Sequence, residues 1–209
     1  MDTLKAEHLG SGREAKHWPK PTLPEYAFIG RSNVGKSSLV NMLCGINKLA
    51  RVSNTPGKTR NVEHFKVENA WLLADLPGYG FAKTSQTERA AWRTMIDNYL
   101  LERENLQCVF VLIDVRLEPQ SNDLGMIRWL GEKGIPFVLV FTKADKLTRA
   151  EATKALSIAR LQAGGGEARL FSAVKRQGIA EVARQIWLWT HGTPPAAPLE
   201  PQAQASQPE

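Results

Sequence analysis

Apolar and polar positions follow two periods along this chain. Continuous apolar runs at 26–29, 71–75, 109–114 and 136–141 are short enough for strands and apolar enough for strands buried on both faces. Residues 61–67 alternate instead, as a strand with one wet face does. Glu68-Asn69 separates them from 71–75, so that pair reads as an antiparallel hairpin. Ala168-Arg169-Leu170-Phe171-Ser172 is the last strand. Helical spacing takes over between them: at 36–43, at 87–104 through Trp92, Met95, Ile96, Tyr99 and Leu100, and at 120–133 through Leu124, Ile127, Trp129 and Leu130. It returns at 149–162, and at the end through Ile179, Val182, Ile186 and Trp187. Strands alternating with helices predict a single α/β domain. Its sheet should be mostly parallel and six-stranded, with one antiparallel edge strand and helices on both faces.

Three stretches have no such period. Residues 1–23, with Pro19 and Pro21, and Pro24 just beyond them, read as an extended lead-in. Residues 45–60 form a loop long enough to imply function or mobility. Residues 193–209 are rich in Pro, Ala and Gln, and disorder is expected there. Gly164-Gly165-Gly166 should end the helix before it and give a flexible connection. The expected boundaries are an extension at 1–21, a domain at 22–192 and a tail at 193–209.

Composition narrows the class. The chain has 209 residues, 43% hydrophobic and 23% charged, enough for a substantial core. No apolar run reaches membrane-spanning length, and residues 1–20 lack the apolar centre of a signal peptide, so stable membrane insertion is not expected. Cys44 and Cys108 lie in apolar runs without metal-ligand spacing and read as buried free thiols in a reducing cytoplasm. Net charge is +6; setting aside Glu200 and Glu209, the only charges of residues 193–209, leaves +8 on the rest. That favours an acidic partner such as RNA or an anionic membrane, although a charge excess also serves solubility.

Chemistry enters at Gly30-Arg31-Ser32-Asn33-Val34-Gly35-Lys36-Ser37, a G-x-x-x-x-G-K-S loop between a strand and a helix. Gly30 and Gly35 let the backbone approach a polyphosphate, and the loop N–H groups and helix N-terminus face it. Lys36 would reach the β- and γ-phosphates, and the Ser37 hydroxyl would ligate magnesium. Asp75-Leu76-Pro77-Gly78 leaves a strand end, where Asp75 can hold magnesium through water and the Gly78 N–H can bond a γ-phosphate. Thr142-Lys143-Ala144-Asp145 ends another strand. The Asp145 carboxylate can accept from guanine N1–H and its 2-amino group, a donor pair that adenine lacks, while the Lys143 stem lies over the base. Asp145 could equally cap the helix that follows. The backbone of Phe171-Ser172-Ala173 could contact guanine O6. Each motif has a bland reading as a turn. Together, in this order and at strand C-terminal ends, they point to GTP.

With Thr55-Pro56-Gly57-Lys58-Thr59-Arg60-Asn61 and the extended Asp75-Leu76-Pro77-Gly78-Tyr79-Gly80, the chain resembles the EngB family over about residues 22–190. That family lies within the TrmE–Era–EngA–EngB group of Ras-like P-loop GTPases. The resemblance implies a magnesium-dependent GTPase acting in 50S ribosomal subunit assembly, with roles in normal cell division and septation. It makes 45–60 the first switch, with Thr59 closing on magnesium and Gly57, Lys58, Arg60 and Asn61 along the nucleotide. Lys36, Thr59 and Gly78 form the expected catalytic set. Lys48, Arg51, Lys58, Arg60 and Lys66 against Glu63 suggest that residues 45–66 also meet ribosomal RNA phosphates. Tyr79 stands where Ras-type enzymes carry a water-orienting glutamine, so slow intrinsic hydrolysis is expected. Asn33 occupies the position at which relatives help hold a potassium ion, and modest potassium stimulation is expected. A cytoplasmic monomer is expected. Three other readings remain: an ATP-dependent enzyme on this fold, a binding module that never turns over, and membrane docking through Trp187 and Trp189. For those two tryptophans core packing is the preferred reading.

Overall fold

The computed structural model describes residues 4–44, 61–80, 85–162, 168–175 and 177–192. Among them seven strands form one sheet: β1 (Ala6–Gly12), β2 (Glu25–Gly30), β3 (Val62–Val67), β4 (Trp71–Asp75), β5 (Leu106–Asp114), β6 (Phe137–Thr142) and β7 (Ala168–Leu170). Their order is β1-β3-β4-β2-β5-β6-β7. The β1–β3 and β3–β4 pairs are antiparallel and the other four pairs parallel. Five α-helices cover the faces: α1 (Lys36–Leu43), α2 (Gln86–Glu102), α3 (Ser121–Glu132), α4 (Arg149–Gln162) and α5 (Ile179–His191).

The period-2 pattern builds a core on each face. In β2, Ala27 and Ile29 point to the side of α2 and α3, where they join Ile96, Tyr99, Leu100, Ile127 and Leu130. Tyr26 and Phe28 point to the side of α1 and α5, among Leu39, Val40, Phe110, Val182 and Ile186. Burial on both sides explains the unbroken apolar runs of the central strands. α2 starts at Ser85, whose hydroxyl accepts from the Glu88 N–H while the Glu88 carboxylate accepts from the Ser85 N–H, a reciprocal cap.

Two expectations change. The sheet has seven strands rather than six, because part of the supposed lead-in is β1. As an edge strand β1 is largely exposed, so it shows no apolar alternation, and its backbone ladder to β3 is invisible in side-chain pattern. The ladder is bulged between His8 and Gly10. The second change is Trp187, which is 59% exposed. Ile179, Val182, Ile186 and Trp189 set the buried stripe of α5, and Trp187 lies about 100° round the helix from Ile186. Trp189 does pack inward, stacked 6.3 Å from Tyr26.

At the N-terminal ends of the parallel strands lies a buried polar cluster. Arg103 donates through Nε to Glu25 Oε1 (2.9 Å) and through a terminal nitrogen to Oε2 (2.7 Å), and it also reaches the Pro19 carbonyl. The Tyr99 hydroxyl donates to Glu25 Oε1 and lies 3.0 Å from His64 Nε2. Because that hydroxyl proton is committed to Glu25, His64 must donate from Nε2, which leaves Nδ1 as a buried acceptor without a partner.

Candidate functional site

The opposite, C-terminal edge of the sheet gathers the motif residues. β2 ends at Gly30, and the loop to α1 turns through Asn33 (φ 62°) and Gly35 (φ 108°), left-handed conformations that Asn and Gly tolerate best. Lys36 and Ser37 open α1, so the free N–H groups of its first turn face the same space. β4, next to β2, ends at Asp75, and Lys36 Nζ forms an ion pair with its carboxylate. Burial raises the Asp75 pKa and the Lys36 ammonium opposes that rise.

Backbone contacts lock the two loops together. The Ser32 N–H donates to the Tyr79 carbonyl (3.0 Å) and the Tyr79 N–H to the Gly30 carbonyl (3.2 Å). Gly78 makes this approach possible: a Cβ there would sit 3.0 Å from Gly30 O and 3.2 Å from Ser32 N. Pro77 is fixed by Trp92, whose Nε1–H donates to its carbonyl (3.1 Å); Leu76 is fully buried.

The other two motifs attach from β6 and β7. The Thr142 hydroxyl donates to the Val34 carbonyl (2.6 Å). Lys143, itself at φ 62°, donates from Nζ to the Asn33 carbonyl (2.9 Å) and to Asp114 Oδ2 (2.8 Å). Its side chain therefore bridges the first loop to the end of β5. Burial works against ionisation of Asp114, but hydrogen bonds from Arg116 and Lys143 outweigh it and bring its pKa down to about 2. The Ala144 N–H donates to the Phe171 carbonyl (3.2 Å). The Ser172 hydroxyl donates to Asp145 Oδ1 (2.6 Å) and lowers the pKa of that carboxyl. Asp145 is thus an oriented anion, and Ala173 follows on the same turn.

The structure accordingly brings together Gly30 to Ser37, Asp75 to Gly78, Thr142 to Asp145 and Phe171 to Ala173. Asn61 stands apart, hydrogen-bonded to Ser11 and Arg13 beside β1. Gly57, Lys58, Thr59 and Arg60 lie outside the described residues, as do 81–84, Gly164 to Gly166 and the tail. Sequence reasoning missed three supporting side chains: Asp114, Asp123 and the hydroxyl of Ser172. Asp114 had a visible cue, a carboxylate ending a buried strand. Asp123 had none, since it reads as an ordinary first-turn acid of α3.

Asp123 explains Tyr79. The Tyr79 hydroxyl donates to Asp123 Oδ1 (2.8 Å), and the residue is 6% exposed. Burial, and then the neighbouring Asp123 carboxylate, push the phenol pKa well above its usual value, so it remains a donor. The Arg31 side chain runs beside Gly80 and lines a cleft of about 180 Å³ with Asn33, Asp114, Glu118 and Asp123. Among the described residues no cluster of three or more His, Cys, Asp or Glu could hold a metal by itself, and no helix is long and apolar enough to cross a membrane. The Ser37 hydroxyl and the Asp75 carboxylate nevertheless suit magnesium, which takes few protein ligands and completes its shell with phosphate oxygens and water.

Comparisons agree with this geometry. Residues 25–143 match a family model described as "50S ribosome-binding GTPase". A probable GTP-binding protein EngB of Bacteroides fragilis (strain YCH46) is 56% identical over 147 residues, which is 70% of this chain and 73% of that one. The probable EngB of Polaromonas sp. (strain JS666 / ATCC BAA-500) is 44% identical over 202 residues, 93% of this chain and 82% of that one. In fold, the chain resembles a crystal structure of a probable GTP-binding protein engB, with TM-score 0.67 and 22% identity over 79% of this chain and 98% of that one. It also resembles NFeoB from S. thermophilus bound to GDP.AlF4- and K+, with TM-score 0.59 and 26% identity over 79% of this chain and 62% of that one. A phosphate-loop motif, a carboxylate held by its own serine at the same sheet edge, and relatives at this identity over most of the chain lead to one conclusion: the chain belongs to the EngB family, and it binds guanine nucleotides and hydrolyses GTP.

Proposed function

We propose that this GTPase is a slow, magnesium-dependent switch that acts in 50S ribosomal subunit assembly and is needed for normal cell division and septation, working as a cytoplasmic monomer. The observation that carries the slow-switch reading is the commitment of Tyr79 to Asp123. The side chain after Gly78 is buried against α3 with its hydroxyl proton given to Asp123, so it does not replace a water-orienting glutamine.

The residues divide the work. Loop amides from Gly30 to Gly35 and the Lys36 ammonium bind the phosphates. Ser37 and Thr59 hold magnesium, and Asp75 supports it through water. Magnesium, when bound, offsets the charge on the β- and γ-phosphate oxygens. The Gly78 N–H meets the γ-phosphate, so residues 45–60 and 76–87 respond to its presence. Lys143 packs over the base, Asp145 accepts from N1–H and the 2-amino group, and Phe171, Ser172 and Ala173 border O6. Gly57, Lys58 and Arg60 run along the nucleotide.

Asn33 is exposed and sits at the mouth of the loop, where a potassium ion would supply positive charge that Tyr79 does not. Faster single-turnover hydrolysis in potassium than in sodium is the expected result. Equal rates, with and without ribosomal subunits, overturn that part.

The ribosomal reading draws on the family description and on the +8 charge of the first 192 residues. Co-sedimentation with purified 50S particles tests it, comparing GTP analogue, GDP and empty protein. Binding favoured by the analogue supports a switch read by the ribosome. Binding indifferent to nucleotide, or absent at low salt, leaves the GTPase intact and the ribosomal assignment resting on the family resemblance alone.

A further inference from the structure

α5 carries a feature that neither the core nor the nucleotide site uses. Trp187 is 59% exposed, and the His191 ring stacks on it with centroids 4.9 Å apart and planes 25° from parallel. The stack is held in place. His191 Nδ1 lies 3.0 Å from the Trp187 carbonyl, so an Nδ1–H donates there and fixes the ring. Thr190, on the neighbouring face, donates to the Ile186 carbonyl (2.8 Å) and meets the Tyr26 hydroxyl (3.1 Å), which ties this turn of the helix to the core. The imidazole stacks on one face of an indole that is more than half exposed.

Along α5 itself the neighbours of Trp187 are basic or neutral. By helical spacing Ala180, Ala183, Arg184, Thr190 and His191 lie within about 60° of Trp187. The acid of α5, Glu181, is about 120° away.

The geometry points to Trp187 and His191 as a stacking platform for an unpaired RNA base, with Arg184 beside it to meet the phosphate. The inference rests on the reading that the protein docks on an RNA-rich particle, and it names one contact of that docking. An exposed indole of fixed orientation next to a guanidinium is what sequence-tolerant single-strand binding uses. A lipid surface fits less well, because binding there scales with buried apolar area, and a single indole flanked by Arg184 and His191 offers little. A second copy of the chain would likewise find too small an apolar face to support a stable dimer.

The test is a fluorescence titration of the full chain with a single-stranded oligoadenylate of about twelve nucleotides at low salt. Quenching is expected in the wild type. Trp187→Ala should bind about tenfold more weakly by anisotropy of a labelled oligonucleotide, and Trp187→Phe should stay within about threefold, since a phenyl ring still stacks. GTP hydrolysis should be unchanged in both, which verifies that they fold. Equal affinity in wild type and Trp187→Ala overturns the inference. So does quenching by phosphatidylglycerol vesicles but not by RNA, or Trp187-dependent self-association without RNA binding. Retained 50S co-sedimentation alongside unchanged oligonucleotide affinity would remove the platform and leave the ribosomal reading intact. Loss of 50S binding in the wild type alongside normal Trp187-dependent RNA affinity would do the reverse.

Discussion

Tyr79 and Asp123 form a buried donor–acceptor pair between the second phosphate-side loop and α3. Tyr79→Phe keeps the ring and removes the hydroxyl. Asp123 would retain the Gln120 N–H (2.9 Å) on its other oxygen, so the cost should be about 1–2 kcal/mol of stability. Hydrolysis should change less than twofold, because the hydroxyl touches α3 rather than the space before Gly78. Denaturant unfolding and single-turnover phosphate release measure the two effects. A tenfold loss of rate would show that the phenol takes part in the reaction. At this scale the motifs are visible in the sequence, because spacing within a loop of eight residues is a local property. It did not show that Ser172 aims Asp145 or that Asp114 holds Lys143, since those partners are 27 and 29 residues apart in the chain.

β3 and α2 meet through His64 and Tyr99, where burial first, and then the nearby Arg103 charge, lower the His64 pKa to about 3. The unfolded chain protonates this imidazole near pH 6.5 while the folded protein does not. Its contribution is therefore complete above pH 6.5 and is lost progressively as pH falls towards 3. Between pH 7 and pH 5 the loss should be about 2 kcal/mol. Urea unfolding at several pH values measures it, and His64→Gln should flatten that part of the profile whatever it does to stability at pH 7. An unchanged slope would mean that protons enter the folded cluster. Apolar periodicity revealed the central strands and helices because both of their faces, or one stripe, are buried. β1 escaped because an exposed edge strand is held by backbone ladders. Trp187 was misassigned because a one-residue step moves a helical side chain by about 100°.

Over the whole molecule, charge and topology act together. If the protein docks on the 50S particle as proposed, the +8 on residues 1–192 should make that binding weaken steeply with salt, log K falling linearly with the logarithm of salt concentration where phosphate contacts dominate. Salt-independent binding would point to protein contacts instead. The strand order, with β2 between β4 and β5, puts Gly30, Asp75, Thr142 and Ser172 on one edge although 142 residues separate the first from the last. By itself the sequence determined the α/β class, most element positions and the GTP motifs, because each rests on local period, turn chemistry or short spacing. Only the tertiary structure decided the seventh strand, the partners that orient Lys143, Asp145 and Tyr79, and the exposure of Trp187. Those depend on which distant segments meet, and a hydrogen bond between residues far apart in the chain leaves no pattern in either of them alone.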